Sequence, residues 1–182
     1  MATQPADLRM SLAEFLDWDD GTDTRYELID GRVVAMAPPN PRHSAMTRRL
    51  SRLIGNALKS PCEVYVEAGI VTPRRADTYQ QADLAVSCRP VDQQGPDEAE
   101  PVLIVEVESP GTVRHDREVK LGRYQELASV QEILLVASAE RRVQRWRRDG
   151  DGWNVETVTG DAVLRLESCA LDLPLGDLYA GL

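Results

Sequence analysis

The segment Val102-Leu103-Ile104-Val105-Glu106-Val107-Glu108 reads as a β-strand apolar on both alternating faces, the pattern of a strand covered on two sides. Glu106 and Glu108 nevertheless share a face with Val102 and Ile104. A carboxylate buried there must reach solvent, a cation or a metal, or take up a proton. The plain alternative is a strand that emerges into water at Glu106. Asp83 opens the preceding strand-like run, and its spacing of 23 residues from Glu106 fits two neighbouring strands whose ends line one cleft. Two such carboxylates suit a hard cation such as Mg²⁺, which takes a few carboxylate oxygens plus waters. Alone, Asp83 reads equally well as a turn or strand-start residue.

Lys120 is one of only two lysines among 21 basic residues, and it shares a helical stripe with Tyr124 and Leu127 that should face the sheet. A strand advances ~3.3 Å per residue and a helix ~1.5 Å, so roughly three residues out from Glu106 and eight back from Thr112 nearly cancel. Lys120 therefore returns level with Glu106. The competing reading lays its stem on apolar surface with the amine in water. If Lys120 stabilises charge in a reaction, Lys120→Met is expected to abolish most activity while leaving stability little changed or raised.

The positioning elements follow from patterning. Ser11 and Glu14 have capping-box spacing and predict a helix over 11–18, broken by Asp19-Asp20-Gly21. Strands 25–29 and 32–36 flank Asp30-Gly31, a tight-hairpin signal. Asn40 caps and Pro41 opens a helix with the stripe Met46, Leu50, Leu53, Ile54, Ala57 and Leu58, ending near Ser60-Pro61. Strands follow at 63–72, 82–88 and 102–108, the first two as a hairpin. Residues 91–100 are acidic and aperiodic, which predicts an exposed loop whose shortening leaves thermal unfolding nearly unchanged. A helix over 113–128 before a strand at 132–137 predicts a crossover in a mixed sheet, and 141–148 with 153–158 a final hairpin around Asp149-Gly150-Asp151-Gly152.

A length of 182 residues suits a single domain, 1–182, with 1–10 as a flexible N-terminus. No run is long and apolar enough for a bilayer, and no secretory signal is visible, so a cytoplasmic protein without membrane contact is expected. Cys62, Cys88 and Cys169 are odd in number and form no C-x-x-C pair, which predicts three small buried hydrophobes with neither disulfide nor zinc. The net charge of −9 excludes a protein that coats DNA through overall basicity; a nucleic-acid substrate needs a local basic strip or a divalent cation. Arg141, Arg142, Arg145, Arg147 and Arg148 either track phosphates or guard an exposed edge strand, with the second favoured. Arg42, Arg48, Arg49 and Arg52 carry the same ambiguity on a helix face.

The run Tyr26-Glu-Leu-Ile-Asp-Gly31, His43 opening a helix, Ala82-Asp83, Ile104-Val-Glu-Val-Glu-Ser-Pro110, and Asp116 with Lys120 and Tyr124 together resemble the bacterial Uma-two family of restriction-endonuclease-like proteins, within the PD-(D/E)xK superfamily. The resemblance extends from about Leu12 to Tyr179. It implies an α/β (α+β) fold with a restriction-endonuclease-like core, a mixed β-sheet flanked by helices, and additional β-hairpins. It also implies an endonuclease dependent on Mg²⁺ or Mn²⁺, acting on nucleic acid, with DNA favoured over RNA. Asp83 and Glu106 would hold the metal, Glu27 would join them, and Lys120 would replace the lysine normally found two residues after the second acid. His43 would contact phosphate, assist proton transfer or orient Glu27, whereas His115 reads as a first-turn surface residue. Two departures stand out: Ala82 replaces the usual proline, and Glu108 occupies the usual lysine position, where family members carry an apolar residue. Like-charge repulsion around one cation favours a rim position for Glu108 over a ligand role. The competing readings are a catalytically inactive binding or regulatory module of the same fold, and a structural homo-oligomer with the Arg-rich hairpin at its contacts.

Overall fold

The structure, a computed structural model, describes residues 8–72, 77–89, 100–109 and 116–181. Asp30 and Gly31 both take positive φ, 50° and 78°, as a two-residue mirror-image turn requires. They close β1 (Tyr26–Ile29) antiparallel on β2 (Arg32–Ala35). The capping box forms at Ser11 and Glu14 and starts α1 (Leu12–Asp17). Residues 8–10, expected to be flexible, instead lie against the hairpin: Val33 N donates to Leu8 O, Met10 N donates to Gly31 O, and Arg9 bridges Arg32.

Asn40 caps α2 (Pro41–Ala57), which buries Met46, Leu50 and Ile54. The strands β3 (Glu63–Val71), β4 (Tyr79–Ser87) and β5 (Leu103–Glu108) follow. A π-helical turn at Asp116–Lys120 runs into α3 (Leu121–Gln125) and delivers the chain to β6 (Glu132–Ala137), parallel to β5. The crossover helix thus ends a few residues before the expected 128. His115 and the rest of its start lie outside the described residues, as does the 91–100 loop except Glu100. The final hairpin is β7 (Arg142–Asp149) and β8 (Gly152–Thr159).

One mixed sheet runs β2-β1-β4-β5-β6-β7-β8, with β3 paired along β4. Its two faces carry two cores. On one face, α2 packs Met46, Leu50 and Ile54 with Leu84, Val86, Val105 and Val107. On the other, the crossover packs Leu121, Tyr124 and Leu127 with Ala85, Ile104, Ile133 and Leu135. Sequence patterning missed β9 (Val163–Leu166), β10 (Leu171–Pro174) and α4 (Leu175–Leu178), which form a small two-stranded unit joined to the α2 core through Leu164, Leu173, Leu175 and Leu178. No helix among the described residues is long and apolar enough to cross a membrane.

Two expectations are corrected. Cys62 and Cys88 are not buried thiols: they stand opposite each other just past the Glu63↔Ser87 pair and form a disulfide, which their sequence separation of 26 concealed. Cys169 is a free, half-buried thiol. The arginines of β7 do not guard an edge, because β7 lies between β6 and β8, and several of them pair with nearby carboxylates. Arg141 pairs with Asp161, Arg145 with Glu156 and Arg147 with Glu167, while Arg142 reaches Glu140 and Glu108. Arg148 donates to the carbonyls of Val130 and Leu127 and stacks 4.5 Å over Trp153.

Tyr179 locks the C-terminal unit to the sheet by donating to Ala137 O at 2.8 Å and Arg142 O at 2.9 Å. Burial first, against an opposing contribution from the Arg142 contacts, pushes its pKa up to about 12. Above pH 10 the unfolded phenol loses its proton while the folded one keeps it. Stability from this group is therefore complete below pH 10 and lost as pH rises towards 12. Tyr179→Phe should flatten that alkaline decline in urea unfolding curves; an unchanged slope would show that Tyr179 does not carry it.

Candidate active site

The site lies where β4 changes neighbours. Near its start β4 pairs with β1, through Leu28↔Tyr79, and further on with β5, through Leu84↔Val105 to Val86↔Leu103. Between these two ladders lie Gln81, Ala82 and Asp83. Side-chain alternation also breaks here: Ala82 packs in the crossover core and Leu84 in the α2 core, although residues two apart on a strand normally share a face. Glu67, facing the break from β3, has φ 55°, and Val66↔Leu84 and Ala68↔Ala82 pair on either side of it. The backbone groups released from the ladder must find other partners.

Charged side chains supply them. Gln81 N donates to Glu27 Oε1 at 3.0 Å, and Gln81 O accepts from Lys120 Nζ at 2.7 Å. Asp83 Oδ2 accepts from Val107 N at 2.6 Å, replacing a rung between β4 and β5, and lies 3.1 Å from His43 Nε2. The β4–β5 ladder ends at Leu84↔Val105, one residue short of both Asp83 and Glu106. Asp83 is an interior residue of β4, because the strand begins at Tyr79, three residues before the predicted start at 82.

Lys120 Nζ lies 3.0 Å from Glu27 Oε1 and 3.2 Å from Glu106 Oε1. With Gln81 O, these acceptors match the three protons of an ammonium. All three charged side chains are buried. Tyr124, one helical turn beyond Lys120, is fully buried and donates its hydroxyl to Glu106 Oε1 at 2.6 Å. Burial first, then the nearby Glu106 and Glu27 charges, raises the Tyr124 pKa well above 10, so its hydroxyl stays a donor. Glu108 is buried as well, contrary to a rim position, and is paired with Arg117.

These groups open on a cleft of about 740 Å³. Its lining includes His43, Asp83, Glu106 and Lys120, with Arg48 on the α2 side and Arg25 and Glu67 opposite. Arg25 is neutralised by Glu67. Sequence reasoning named Asp83, Glu106, Lys120, Glu27 and His43, and the fold brings all five together. The partners differ in two places. His43 meets Asp83 instead of Glu27, and Glu27 meets Lys120 and Gln81 N. Among the described residues, no group of three or more His, Cys, Asp or Glu side chains is arranged to hold a metal ion. The hydrogen-bonding role of Tyr124 was missed, although its i+4 spacing from Lys120 was the available signal.

A family profile described as Putative restriction endonuclease, Uma2, matches residues 12–175. The chain belongs to the Uma2 family. Its relatives include two proteins of Synechocystis sp. (strain ATCC 27184 / PCC 6803 / Kazusa). Uncharacterized protein slr1290 is 29% identical over 96% of this chain and 93% of its own length. Uncharacterized protein sll1609 is 25% identical over 84% and 89%, respectively. A crystal structure of a putative nuclease belonging to DUF820 from Anabaena variabilis ATCC 29413 superposes with a TM-score of 0.73 at 22% identity, covering 94% of this chain and 98% of that one. The Uma2 chain therefore has a nuclease-like fold, the mixed α/β architecture expected from its sequence.

Proposed function

We propose that this Uma2 chain is a divalent-metal-dependent nuclease that hydrolyses phosphodiester bonds in nucleic acid, DNA before RNA. The observation that carries this reading is the convergence of Asp83, Glu106 and Lys120, from three separate segments, on one cleft. Asp83 and Glu106 both line the cleft and offer hard oxygen donors, a donor set that fits Mg²⁺ or Mn²⁺ completed by water. When bound, such an ion supplies Lewis acidity at a phosphoryl oxygen and lowers the pKa of a coordinated water. Lys120 stabilises negative charge developing on the phosphate. Glu27 shares Lys120 with Glu106 and fixes its amine, while His43 orients Asp83. Tyr124 holds Glu106 from below.

The direct test incubates purified protein with single- and double-stranded DNA and RNA, with Mg²⁺ or Mn²⁺, over a range of salt. Cleavage abolished by a chelator is expected. Inactivity under every condition would favour the second reading, a catalytically quiet binding module.

Substrate contact is expected at Arg48. It is exposed on the cleft wall, and no carboxylate neutralises it among the described residues. Arg48→Ala should weaken nucleic-acid binding uniformly across sequences and reduce the slope of log affinity against log salt by about 1. An unchanged slope would remove Arg48 from the phosphate path.

A further inference from the structure

Glu108 is the residue at which this chain departs from the pattern it resembles, and it has a structural partner that patterning did not reveal. Its carboxylate is buried, with Arg117 Nε 2.6 Å from Oε1 and a second guanidinium nitrogen donating to Oε2 at 3.0 Å. Arg117 also donates to Gln144 on β7, and Arg142 of β7 stands 3.7 Å from Glu108. The guanidinium therefore ties the π-helical turn to two strands beneath it.

The geometry points to a positioning role: we propose that the Glu108–Arg117 pair sets the crossover at the height at which Lys120 reaches Glu106 and Glu27. Glu106 and Glu108 lie two residues apart on one face of β5, about 6.6 Å along the strand. Arg117 and Lys120 lie three residues apart on the returning turn. The pairs Glu106–Lys120 and Glu108–Arg117 thus form two rungs between strand and crossover. Among the described residues the turn and α3 make one short helical run, Asp116–Lys120 followed by Leu121–Gln125, whose orientation depends on packing more than on helix propensity. An acid at position 108 serves where an apolar side chain would not, because the hydrogen bond from the guanidinium to Oε2, reinforced by charge, fixes direction as well as distance.

The kinetic consequence rests on the nuclease reading; the spectroscopic one does not. The chain has only two lysines, exposed Lys59 and buried Lys120, so protein labelled with ¹³C,¹⁵N-lysine reports Lys120 with an internal control. In Glu108→Gln and in Arg117→Gln, the Lys120 side-chain signal should move towards that of Lys59. Its ammonium protons should exchange at least about 10-fold faster, with Lys59 unaffected. If wild type cleaves nucleic acid, both variants should lose about 10-fold or more in kcat with KM held within about twofold, the signature of a displaced catalytic group. A wild-type Lys120 signal and exchange rate in both folded variants would overturn the proposal. Should the single variants fail to fold, Glu108→Leu combined with Arg117→Met replaces the buried pair by apolar side chains, a change that folded proteins commonly accept. A displaced Lys120 signal is expected there too, and a wild-type signal would overturn the proposal. If wild type cleaves nothing, the nuclease reading fails while the lysine spectra still decide this one.

Discussion

Lys120→Met is expected to cut metal-dependent cleavage by ~10²–10³, the usual loss when one preorganised donor to a developing oxyanion is removed. Stability should fall with it. The sequence alone suggests the opposite, since Met preserves stem packing and removes a charge from an apolar stripe. The contacts reverse that expectation. Lys120 lies between two buried carboxylates, Glu27 and Glu106, and its loss removes the ammonium that they share. Breaking a buried ion pair from one side typically costs roughly 3–5 kcal/mol. Adding Glu27→Gln to Lys120→Met should restore part of that stability and none of the cleavage. Urea unfolding of the single and double variants gives the comparison. Full stability in Lys120→Met would mean that the amine does not neutralise these acids, and undiminished cleavage would remove Lys120 from the chemistry.

Asp83→Asn is expected to have a comparable effect on cleavage, on the order of 10²–10³, with little effect on folding. The amide oxygen can still accept from Val107 N and meet His43, so the substitute rung between β4 and β5 survives. What disappears is the negative charge with which the proposed site would hold a cation. Asp83→Ala should destabilise more, because it leaves Val107 N without its acceptor inside the sheet. Thermal unfolding of the two variants, set beside their cleavage rates, separates the structural role of Asp83 from the functional one. Equal destabilisation of both would show that the rung does not depend on the side-chain oxygen.

The strands and helices that carry the site were legible because each has a strong local signal: Asp30-Gly31 for the first hairpin, Asn40-Pro41 for α2, and continuous apolar runs for β5 and β6. The level of Lys120 followed from the unequal rise of strand and helix. Less legible were features that depend on long-range register. Nothing local to Cys62 or Cys88 indicates that β3 and β4 bring them opposite. The exchange of β1 for β5 along one edge of β4 likewise has no local signature, yet it frees Gln81 to bind Glu27 and Lys120. Glu108 looked like a rim charge because its partner, Arg117, is near in sequence but meets it only after the crossover returns. The short strands β9 and β10 have four residues each, too few for a clear alternation.

Calorimetric titration of Mn²⁺ into wild type and Asp83→Asn at matched pH and salt tests whether Asp83 and Glu106 together bind one divalent cation. Wild type should show one site per chain, and Asp83→Asn should lose at least about 100-fold in affinity, on the scale of groups that hold or orient metal ligands. Equal Mn²⁺ affinity in the two proteins, or no binding by folded wild type, would show that Asp83 and Glu106 do not form the cation site.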